Sequence, residues 1–339
     1  MINLFKKKMG LFITICTLVA LLAACGGDST SSSGESTSSS DKSENKSSSY
    51  PTKTIEMVVP ASAGGDTDRN ARLLAQYLSD ELDVSIVIQN VTGASGSVGV
   101  QELIDSNPDG YRVLFFHNNI LINNILGLTE NNYSDLKMAG ISAIDHGNGV
   151  VVSRDAPYEN AKELIEAAIE NPGEINIGTS VGAFTHFQLL DIQEKTGAQF
   201  NLVDAGDFAE RNAAILGGQL DVIPTQLGLV NDYLESGDMK ALGVLAEERL
   251  DYFAEVPTFQ ELGIDSTFEK FFFMAFPQET PDEIVTTFTE AVERATNNEE
   301  YIQRARDYGM EPEYKSPQET DEIMETRHQL YTEINERNN

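Results

Sequence analysis

The apolar and polar positions of this chain follow two alternating patterns from residue 55 onwards. Short apolar runs typical of buried strands are followed by stretches with apolar residues every three or four positions, typical of helices. Strands are predicted at 55–59, 84–89, 112–116, 150–152, 175–178, 200–203, 222–224 and 241–245. Helices are predicted at 68–82, 98–106, 161–171, 184–196, 210–216, 230–236, 257–262, 281–297, 299–308 and 316–335. This alternation predicts an α/β protein with mostly parallel sheets, in which ligands bind beyond the carboxyl ends of the strands.

The first predicted strand runs into a glycine-rich turn and a helix. Gly64-Gly65 permits a sharp turn, and the helical pattern begins close to Asp66. The first amides of a helix have no intrahelical partner, so such a turn can hold a carboxylate or phosphate. Paired glycines also occur at junctions that bind nothing, and the motif alone leaves both interpretations open.

A second loop of the same kind follows the strand at 175–178. Ser180 and Thr185 are natural capping residues, and Gly182 permits close approach to the backbone. Neither loop contains lysine or arginine, so backbone amides and hydroxyls are expected to hold any anion. Other polar loops at the same edge are equally explained by ordinary turn chemistry: His117-Asn118-Asn119, Asp204-Ala205-Gly206-Asp207 and Thr225-Gln226.

Residues 1–24 have the features of a lipoprotein signal peptide. Three lysines at 6–8 precede an apolar segment at 9–24 that is short for a membrane span. It ends in Leu22-Ala23-Ala24-Cys25, a lipoprotein cleavage box, so the mature chain is expected to begin at a lipidated Cys25 that carries acyl chains such as palmitate. The alternative is an ordinary signal peptide that leaves Cys25 unmodified.

Residues 25–49 are predicted to be the lipidated cysteine and a disordered tether. Twelve of the 24 residues at 26–49 are serine, and none is large and apolar. The only other cysteine, Cys16, lies in the signal peptide, so the mature fold has no disulfide.

The charge of the chain excludes some functions. The formal net charge is −31, and removal of the three leader lysines takes it to −34. Such a chain is not expected to bind nucleic acid or to dock on anionic lipid through a basic patch.

The sequence gives little support for catalysis. The four histidines have no metal-ligand spacing, and no phosphate-loop lysine is present. The chain is therefore expected not to be an enzyme and to need no cofactor and no metal. His186 is interpreted either as a donor near a ligand or as a residue of the capping turn.

Taken together, the motifs resemble those of one family, the solute-binding receptors of tripartite tricarboxylate transporters, or Bug family. The resemblance covers about 50–333, and its marks are Tyr50-Pro51-Thr52-Lys53, Ala63-Gly64-Gly65 with Thr67-Asp68, Pro108-Asp109-Gly110-Tyr111, Leu216-Gly217-Gly218-Gln219-Leu220-Asp221, Val256-Pro257-Thr258-Phe259 and Thr280-Pro281.

The resemblance implies a two-lobed, periplasmic-binding-protein-like (Venus flytrap) fold with the ligand in the cleft between the lobes. Two crossing hinge strands would fall near 149–152 and 272–276, with one lobe at 50–149 plus 275–339 and the other at 150–274. The implied ligand-binding residues are Ser62, Ala63, Gly64, Gly65, Thr67 and Asp68 in one loop, Ser180, Gly182, Ala183, Thr185 and His186 in the facing loop, and Asn118 and Thr225 beside them.

One departure from the family concerns Asp204. Many members carry Pro-Tyr-Lys-Gly where this chain has Asp204-Ala205-Gly206-Asp207. If these positions line the cleft, the ligand either carries an amine as well as carboxylates or is larger than a simple four-carbon diacid. The alternative is that both aspartates face solvent.

The resemblance implies a monomeric extracytoplasmic lipoprotein held at the cell membrane by its lipid anchor. It would capture a small carboxylate, such as a di- or tricarboxylate, and deliver it to the membrane permease subunits of a secondary transporter. A lipoprotein that presents the same ligand to a membrane sensor kinase is the alternative, since both uses need a liganded protein that docks on a membrane partner.

Overall fold

The computed structural model describes residues 50–338 of the 339-residue chain. The predicted signal peptide, Cys25 and the serine-rich segment lie outside the described residues. Within the described part, no helix is long and apolar enough to cross a membrane.

Strands and helices alternate through most of this part of the chain. The strands are β1 (Ile55–Val59), β2 (Ile86–Asn90), β3 (Arg112–His117), β4 (Leu136–Asp145), β5 (Asn148–Ser153), β6 (Asn176–Thr179), β7 (Asn201–Asp204), β8 (Val222–Gln226), β9 (Met239–Val244), β10 (Lys270–Pro277) and β11 (Glu311–Lys315). The helices are α1 (Asp66–Leu82), α2 (Ser97–Ile104), α3 (Asn119–Ile125), α4 (Ala161–Glu170), α5 (Phe184–Thr196), α6 (Phe208–Leu216), α7 (Asn231–Glu235), α8 (Asp282–Thr296), α9 (Glu299–Asp307) and α10 (Pro317–Asn338).

The strands form two sheets. The first has the order β11-β4-β10-β3-β1-β2 and the second the order β7-β6-β8-β5-β9. The chain passes from the first sheet to the second between Asp145 and Asn148, close to the crossing expected near 149–152. It returns before Lys270, so the whole of β10 pairs in the first sheet.

Both sheets are mixed, and the expectation of mostly parallel sheets is wrong. β1 pairs in parallel with β2 and β3, and β6 with β7 and β8. By contrast, β10 is antiparallel to β3 and β4, and β5 is antiparallel to β8 and β9. The antiparallel pairs arise because β5 and β10 enter their sheets after passages between the two sheets rather than after helical crossovers.

Strand β10 is the centre of the first sheet and is buried along its whole length. Its alternate side chains point to opposite faces. Phe272, Met274 and Phe276 pack with α1 and α8, whereas Phe271, Phe273 and Ala275 face the core beneath α2, α3 and α10. Helices cover both faces, so the first sheet is a three-layer α/β unit.

The last helix connects elements of both sheets. α10 packs on α3 and β4 of the first sheet and on α5, which follows β6 of the second. Arg337 near its end donates to Glu194 of α5 at 2.5 Å.

Four elements differ from the sequence prediction. Residues 257–262 form turns rather than a helix, and Glu261 there accepts from the Thr258 amide and from Arg249. β4, β11 and α3 were not predicted, and only the first residue of α3, Asn119, lies in a segment predicted as a polar loop.

Candidate functional site

A cavity of about 510 Å³, called here the central cavity, lies where loops of the two sheets meet. From the first sheet it is lined by the segment after β1, the end of β3 and the start of β10. From the second sheet it is lined by the segment after β6, the end of β8 and the start of α6. β1, β3, β6 and β8 all reach it with their carboxyl ends, the usual place for ligands in α/β sheets.

The first loop, residues 60–65, leads from β1 into α1. Gly65 is the N-cap residue of α1 and supplies no side-chain cap, so the first helical amides rely on other acceptors. Gly64 adopts a left-handed conformation at φ 83° and donates its amide to the Asp68 carboxylate at 2.9 Å. Asn90 and Arg72 donate to the same carboxylate, each at 2.9 Å. Asp68 thus holds the loop in shape and does not line the cavity.

A buried ion pair joins the start of α1 to β10. Lys270, which is 7% exposed, donates to the carboxylate of Asp66, and both line the cavity. Burial would raise the pKa of Asp66, but the Lys270 charge and the amide of Thr67 together lower this pKa to about 2. Asp66 is therefore ionised at neutral pH, and its charge offsets that of Lys270.

His117 lies beside this pair at the end of β3. Its Nδ1 accepts from the Asn119 amide at 3.3 Å, which places the proton of the neutral ring on Nε2. Burial lowers the pKa of His117 well below its ordinary value, and the Lys270 charge lowers it further. His117 is a neutral cavity wall at pH 7.

The second loop, residues 180–183, leads from β6 into α5. Ala183 is the N-cap residue of α5 and, like Gly65, gives no side-chain cap. The Val181 amide donates to Asp204 at 3.3 Å, and the Gly182 amide donates to His186 Nδ1 at 3.2 Å. Asp204, Gly182 and His186 therefore shape this loop and stand outside the cavity lining.

Arg211 brings a second basic group to the cavity. It lies in α6, is 8% exposed and donates from Nη1 to the Gly206 carbonyl at 2.6 Å. Its Nε is buried and has no hydrogen-bond partner in the described protein. Burial lowers the pKa of Arg211, with nearby carboxylates including Asp66 opposing the change, and the guanidinium remains protonated at neutral pH.

The two loops thus hold much of what the sequence predicted. Nine of the predicted ligand-binding residues line the cavity, namely Ser62, Ala63, Gly64, Gly65, Thr67, Ser180, Ala183, Thr185 and Thr225. Asp68, Gly182, His186 and Asp204 support the loops from behind. Asn118 is fully buried elsewhere, where its amide bonds the Glu269 carbonyl, the Tyr331 hydroxyl and the Phe271 amide.

Two basic side chains from outside the two loops, Lys270 and Arg211, also line the cavity and were not predicted. Lys270 starts an antiparallel strand, so it lies at the same edge as the end of β3, where Phe272 pairs with His117. Arg211 comes from the inner face of a helix rather than from a loop. Neither Lys270 nor Arg211 directly follows a parallel strand, so a prediction based on strand ends does not include them. The only sequence feature that could have indicated Lys270 is its position directly before the apolar run 271–276.

A larger groove of about 830 Å³ elsewhere on the protein is a poor site for an anion. It is lined by two arginines and by seven acidic residues, Glu235, Glu247, Glu248, Asp251, Glu269, Asp307 and Glu311. Among residues 50–338, no cluster of three or more potential ligands is placed to hold a metal ion.

Comparison with known proteins agrees with this architecture. The model of the tripartite tricarboxylate transporter family receptor (TctC) matches residues 70–338. The chain belongs to this family. Its members are solute-binding receptors that act outside the cytoplasm, so the protein is a receptor and not an enzyme.

Individual relatives are similar over nearly the whole described region. The chain is 27% identical to Protein BugT of Bordetella pertussis over 276 residues, which is 80% of this chain and 85% of BugT. A solved periplasmic transporter superposes with a TM-score of 0.80 at 25% identity, covering 86% of this chain and 98% of that one. Rpa4515 of R. palustris, solved with adipate, has a TM-score of 0.78 at 26% identity and covers 84% and 97%. The periplasmic-binding-protein fold expected from the sequence is confirmed.

Proposed function

We propose that this receptor captures a small organic acid with two or more carboxylates in the central cavity and delivers it to a membrane permease. The observation that carries the proposal is that two helix starts without side-chain caps, at Gly65 and Ala183, line the same cavity. Lys270 is paired with Asp66, and Asp207 lies in the lining with Arg211, so the charged side chains are balanced and the helix starts supply the donors for a carboxylate. The adipate in the relative Rpa4515 supports the same class of ligand.

Capture is proposed to proceed by closure of two lobes. The first sheet with its helices forms one lobe, residues 50–149 plus the C-terminal part, and the second sheet forms the other. We place the return hinge just before Lys270 rather than at 274, because all of β10 pairs in the first sheet. The cavity walls come from both lobes, so a bound ligand would stabilise the closed form.

The ligand is proposed to carry no amine at the Asp204 end of the cavity. Asp204 accepts the Val181 amide, and Asp207 caps α6 by accepting the amides of Ala209 and Glu210. Both carboxylates therefore have backbone partners, although Asp207 lies in the cavity lining and Asp204 does not. The backbone bonds support a structural role for the two aspartates rather than recognition of an ammonium group.

A binding screen on the purified protein tests the proposed ligand class. Carboxylates, amino acids and aromatic acids would be compared by thermal shift, since a ligand at a hundredfold excess over its Kd stabilises the folded state by about 2.7 kcal/mol. We expect a shift with di- or tricarboxylates. A panel in which only neutral or cationic compounds raise the Tm would refute the proposal.

The membrane anchor is proposed at Cys25, with the serine-rich segment as its tether. Mass spectrometry of the N-terminal peptide is expected to show diacylglycerol and an amide-linked acyl chain on Cys25. The Cys25→Ala variant should appear in the soluble fraction. An unmodified Cys25 at the mature N-terminus would indicate an ordinary signal peptide.

Delivery to a permease is tested in membranes. Photo-crosslinking from the receptor surface, with and without ligand, is expected to capture a membrane protein with many spans. If the crosslinked partner is a sensor kinase, the protein serves sensing rather than transport. The proposed ligand class is unaffected by that result.

A further inference from the structure

Six large apolar side chains are exposed among residues 50–338, and three of them lie close to the central cavity. These three are Val98 in α2, Leu128 just after α3 and Val181 in the second loop, each 49–50% exposed. Each follows a residue of the cavity lining in its own segment, namely Ser95, Asn119 and Ser180, respectively. The three apolar side chains therefore lie beside the cavity rather than in its lining.

Hydrogen bonds hold the first two of these side chains on adjoining elements. Val98 and Gln101 lie on the same side of α2, one turn apart. Gln101 accepts from the Asn131 side chain at 2.8 Å, which ties α2 to the segment after α3. Leu128 lies in that segment, where its amide donates to the Asn123 carbonyl at 2.9 Å. The surface therefore continues from α2 to the residues that follow α3.

The same surface continues onto the second sheet's loop. A Cβ on Gly182 would lie 3.3 Å from Leu126 Cδ1 and 3.9 Å from Leu128 Cδ1, so the loop packs against the end of α3. Val181 precedes Gly182 and is exposed there. We call Val98, Leu126, Leu128 and Val181 the rim face. Both proposed lobes contribute to it, so it is complete only while they are together.

The segments that carry the rim face contain no Asp, Glu, Lys or Arg. They are 91–101, 118–129 and 180–190, in a chain of which 23% is charged. Their single titratable side chain is His186, whose pKa is lowered by burial, so it is neutral at pH 7. Acidic residues lie at the border, where Glu130 follows one segment and Asp204 accepts the Val181 amide at 3.3 Å. An apolar centre without charges and a polar border are typical of protein–protein interfaces.

The charge of the whole protein restricts which partner can dock on this face. At a net charge of −31, the protein is repelled by anionic lipid and by a second copy of itself. The extracytoplasmic loops of a multi-span membrane protein are poor in Lys and Arg, because these residues concentrate in its cytoplasmic loops. Such loops offer few positive charges to an acidic receptor, so an uncharged apolar face is the surface that matches them.

We propose that the rim face docks on the extracytoplasmic surface of the permease. Because the face belongs to both proposed lobes and borders the cavity, the permease binds the closed receptor beside the ligand that it receives. A small apolar centre is suited to a transient complex, which dissociates after each delivery. The assignment rests on the proposed delivery function and adds to it the surface of contact.

Site-specific photo-crosslinking tests this docking surface. The photo-reactive residue p-benzoylphenylalanine would replace one exposed apolar residue at a time in the full-length lipoprotein, followed by irradiation of intact cells. The other three exposed apolar residues are matched controls: Val87 in β2, Ile169 in α4 and Leu216 in α6. We expect positions 98, 128 and 181 to crosslink to one multi-span membrane protein, identified by mass spectrometry, and the control positions to give no such product.

Polar substitutions then test whether the apolar side chains themselves bind. Val98→Asn and Leu128→Asn, combined in a protein with the photo-reactive residue at 181, should lower the crosslinking yield about tenfold. Both side chains are exposed and neither lines the cavity, so the Tm and the ligand-induced thermal shifts should stay at wild-type values. Ile169→Asn combined with Leu216→Asn is the control and should leave the yield unchanged.

The outcomes separate the docking surface from the receptor function. Crosslinks to a permease from the control positions alone, or equally from all six, overturn the rim face and leave delivery standing. A product that contains two copies of this chain, a lipid adduct or a sensor kinase overturns the permease as the occupant. No membrane protein captured from any position overturns both the rim face and delivery, whereas carboxylate capture is judged separately by the binding screen.

Discussion

Single side chains determine the electrostatics of the central cavity. Lys270 and Asp66 cancel one another, and Asp207 balances Arg211 in the same lining, in a protein whose formal net charge is −31. A small carboxylate therefore meets repulsion from the acidic surface, whereas inside the cavity the helix starts at Gly65 and Ala183 attract it. Screening limits the surface repulsion to about 8 Å at physiological ionic strength, so the local charge of the cavity dominates once the ligand enters.

Gly64 is the glycine on which the first loop depends. Its φ of 83° is unfavourable for other residues, although a Cβ there would meet nothing within 4 Å. Gly64→Ala should therefore destabilise the protein by about 1 kcal/mol and weaken ligand binding. Gly65→Ala is the matched control, because Gly65 has an ordinary φ of −75° and its Cβ would lie 3.5 Å from the Ser62 carbonyl. Urea unfolding and Kd would be measured for both, and equal losses would contradict this explanation.

Asp145 should make stability depend on pH. Burial, assisted by the nearby Asp66 carboxylate, raises its pKa to about 7, although Lys270 and hydrogen bonds from Gly147 and Asn148 oppose the change. Between about pH 4 and pH 7, Asp145 is therefore protonated in the folded state and ionised in the unfolded state. Asp145 contributes stability that is fully present below pH 4 and is lost as the pH rises through 7, by up to about 4 kcal/mol.

The Asp145→Asn variant tests this dependence. Urea unfolding at several pH values should show that the wild type loses stability from pH 4 to 7, whereas the variant changes much less. Asp66 acts in a separate window, because its lowered pKa of about 2 means that its stabilisation is lost only as the pH falls below about 4. Parallel pH profiles for the two proteins would exclude Asp145 as the source.

Among the elements, β10 contributes to both the core and the site. Its apolar run 271–276 anchors the middle of the first sheet, and this anchoring holds Lys270 at the cavity edge. The sequence contained this apolar run but no indication of its direction. β4 was missed because Lys137, Gly140 and Ser142 interrupt its apolar pattern, and β11 because it is a polar edge strand containing Pro312.

Phe272 tests the role of β10. It is fully buried and stacks on Phe115 of β3 with ring centroids 5.6 Å apart. Phe272→Ala should lower the free energy of unfolding by about 3–5 kcal/mol, because it removes a large buried side chain and leaves a cavity. Val87→Ala on β2 of the same sheet is the control, since Val87 is 53% exposed and should change stability by less than about 0.5 kcal/mol. A loss below about 1 kcal/mol for Phe272→Ala would show that the core repacks around it.

For the whole molecule, the decisive feature is the contact between elements of the two sheets. Arg69 of α1 donates to the Gly228 carbonyl, just after β8, at 3.2 Å and lies 4.3 Å from the centre of the Tyr308 ring. Gln226 donates to the Tyr308 carbonyl at 2.5 Å on the same side. These contacts join the proposed lobes, and Arg69 and Tyr308 are not part of the cavity lining.

Arg69→Ala should therefore weaken binding indirectly. Loss of the contact to Gly228 would favour the open arrangement of the lobes, so Kd is expected to rise about three- to tenfold, mainly through faster ligand release. Stopped-flow or surface plasmon resonance would measure the rates. Arg294→Ala, which removes an exposed ion pair with Glu81 on the first sheet alone, should leave them unchanged. Equal effects of the two variants would exclude a role in closure.

The sequence by itself determined the local features of this protein: the alternation of strands and helices and the two glycine-containing loops at strand ends. These follow from periodicity and backbone requirements, which act over a few neighbouring residues. The nine predicted residues that line the cavity were implied as a set by the family resemblance. Only the tertiary structure decided the directions of β5 and β10. It also decided that Asn118 and His186 lie outside the cavity lining and that Lys270 and Arg211 lie within it. Those outcomes depend on which segments, distant along the chain, pack together, because burial and charge pairing are set by spatial neighbours.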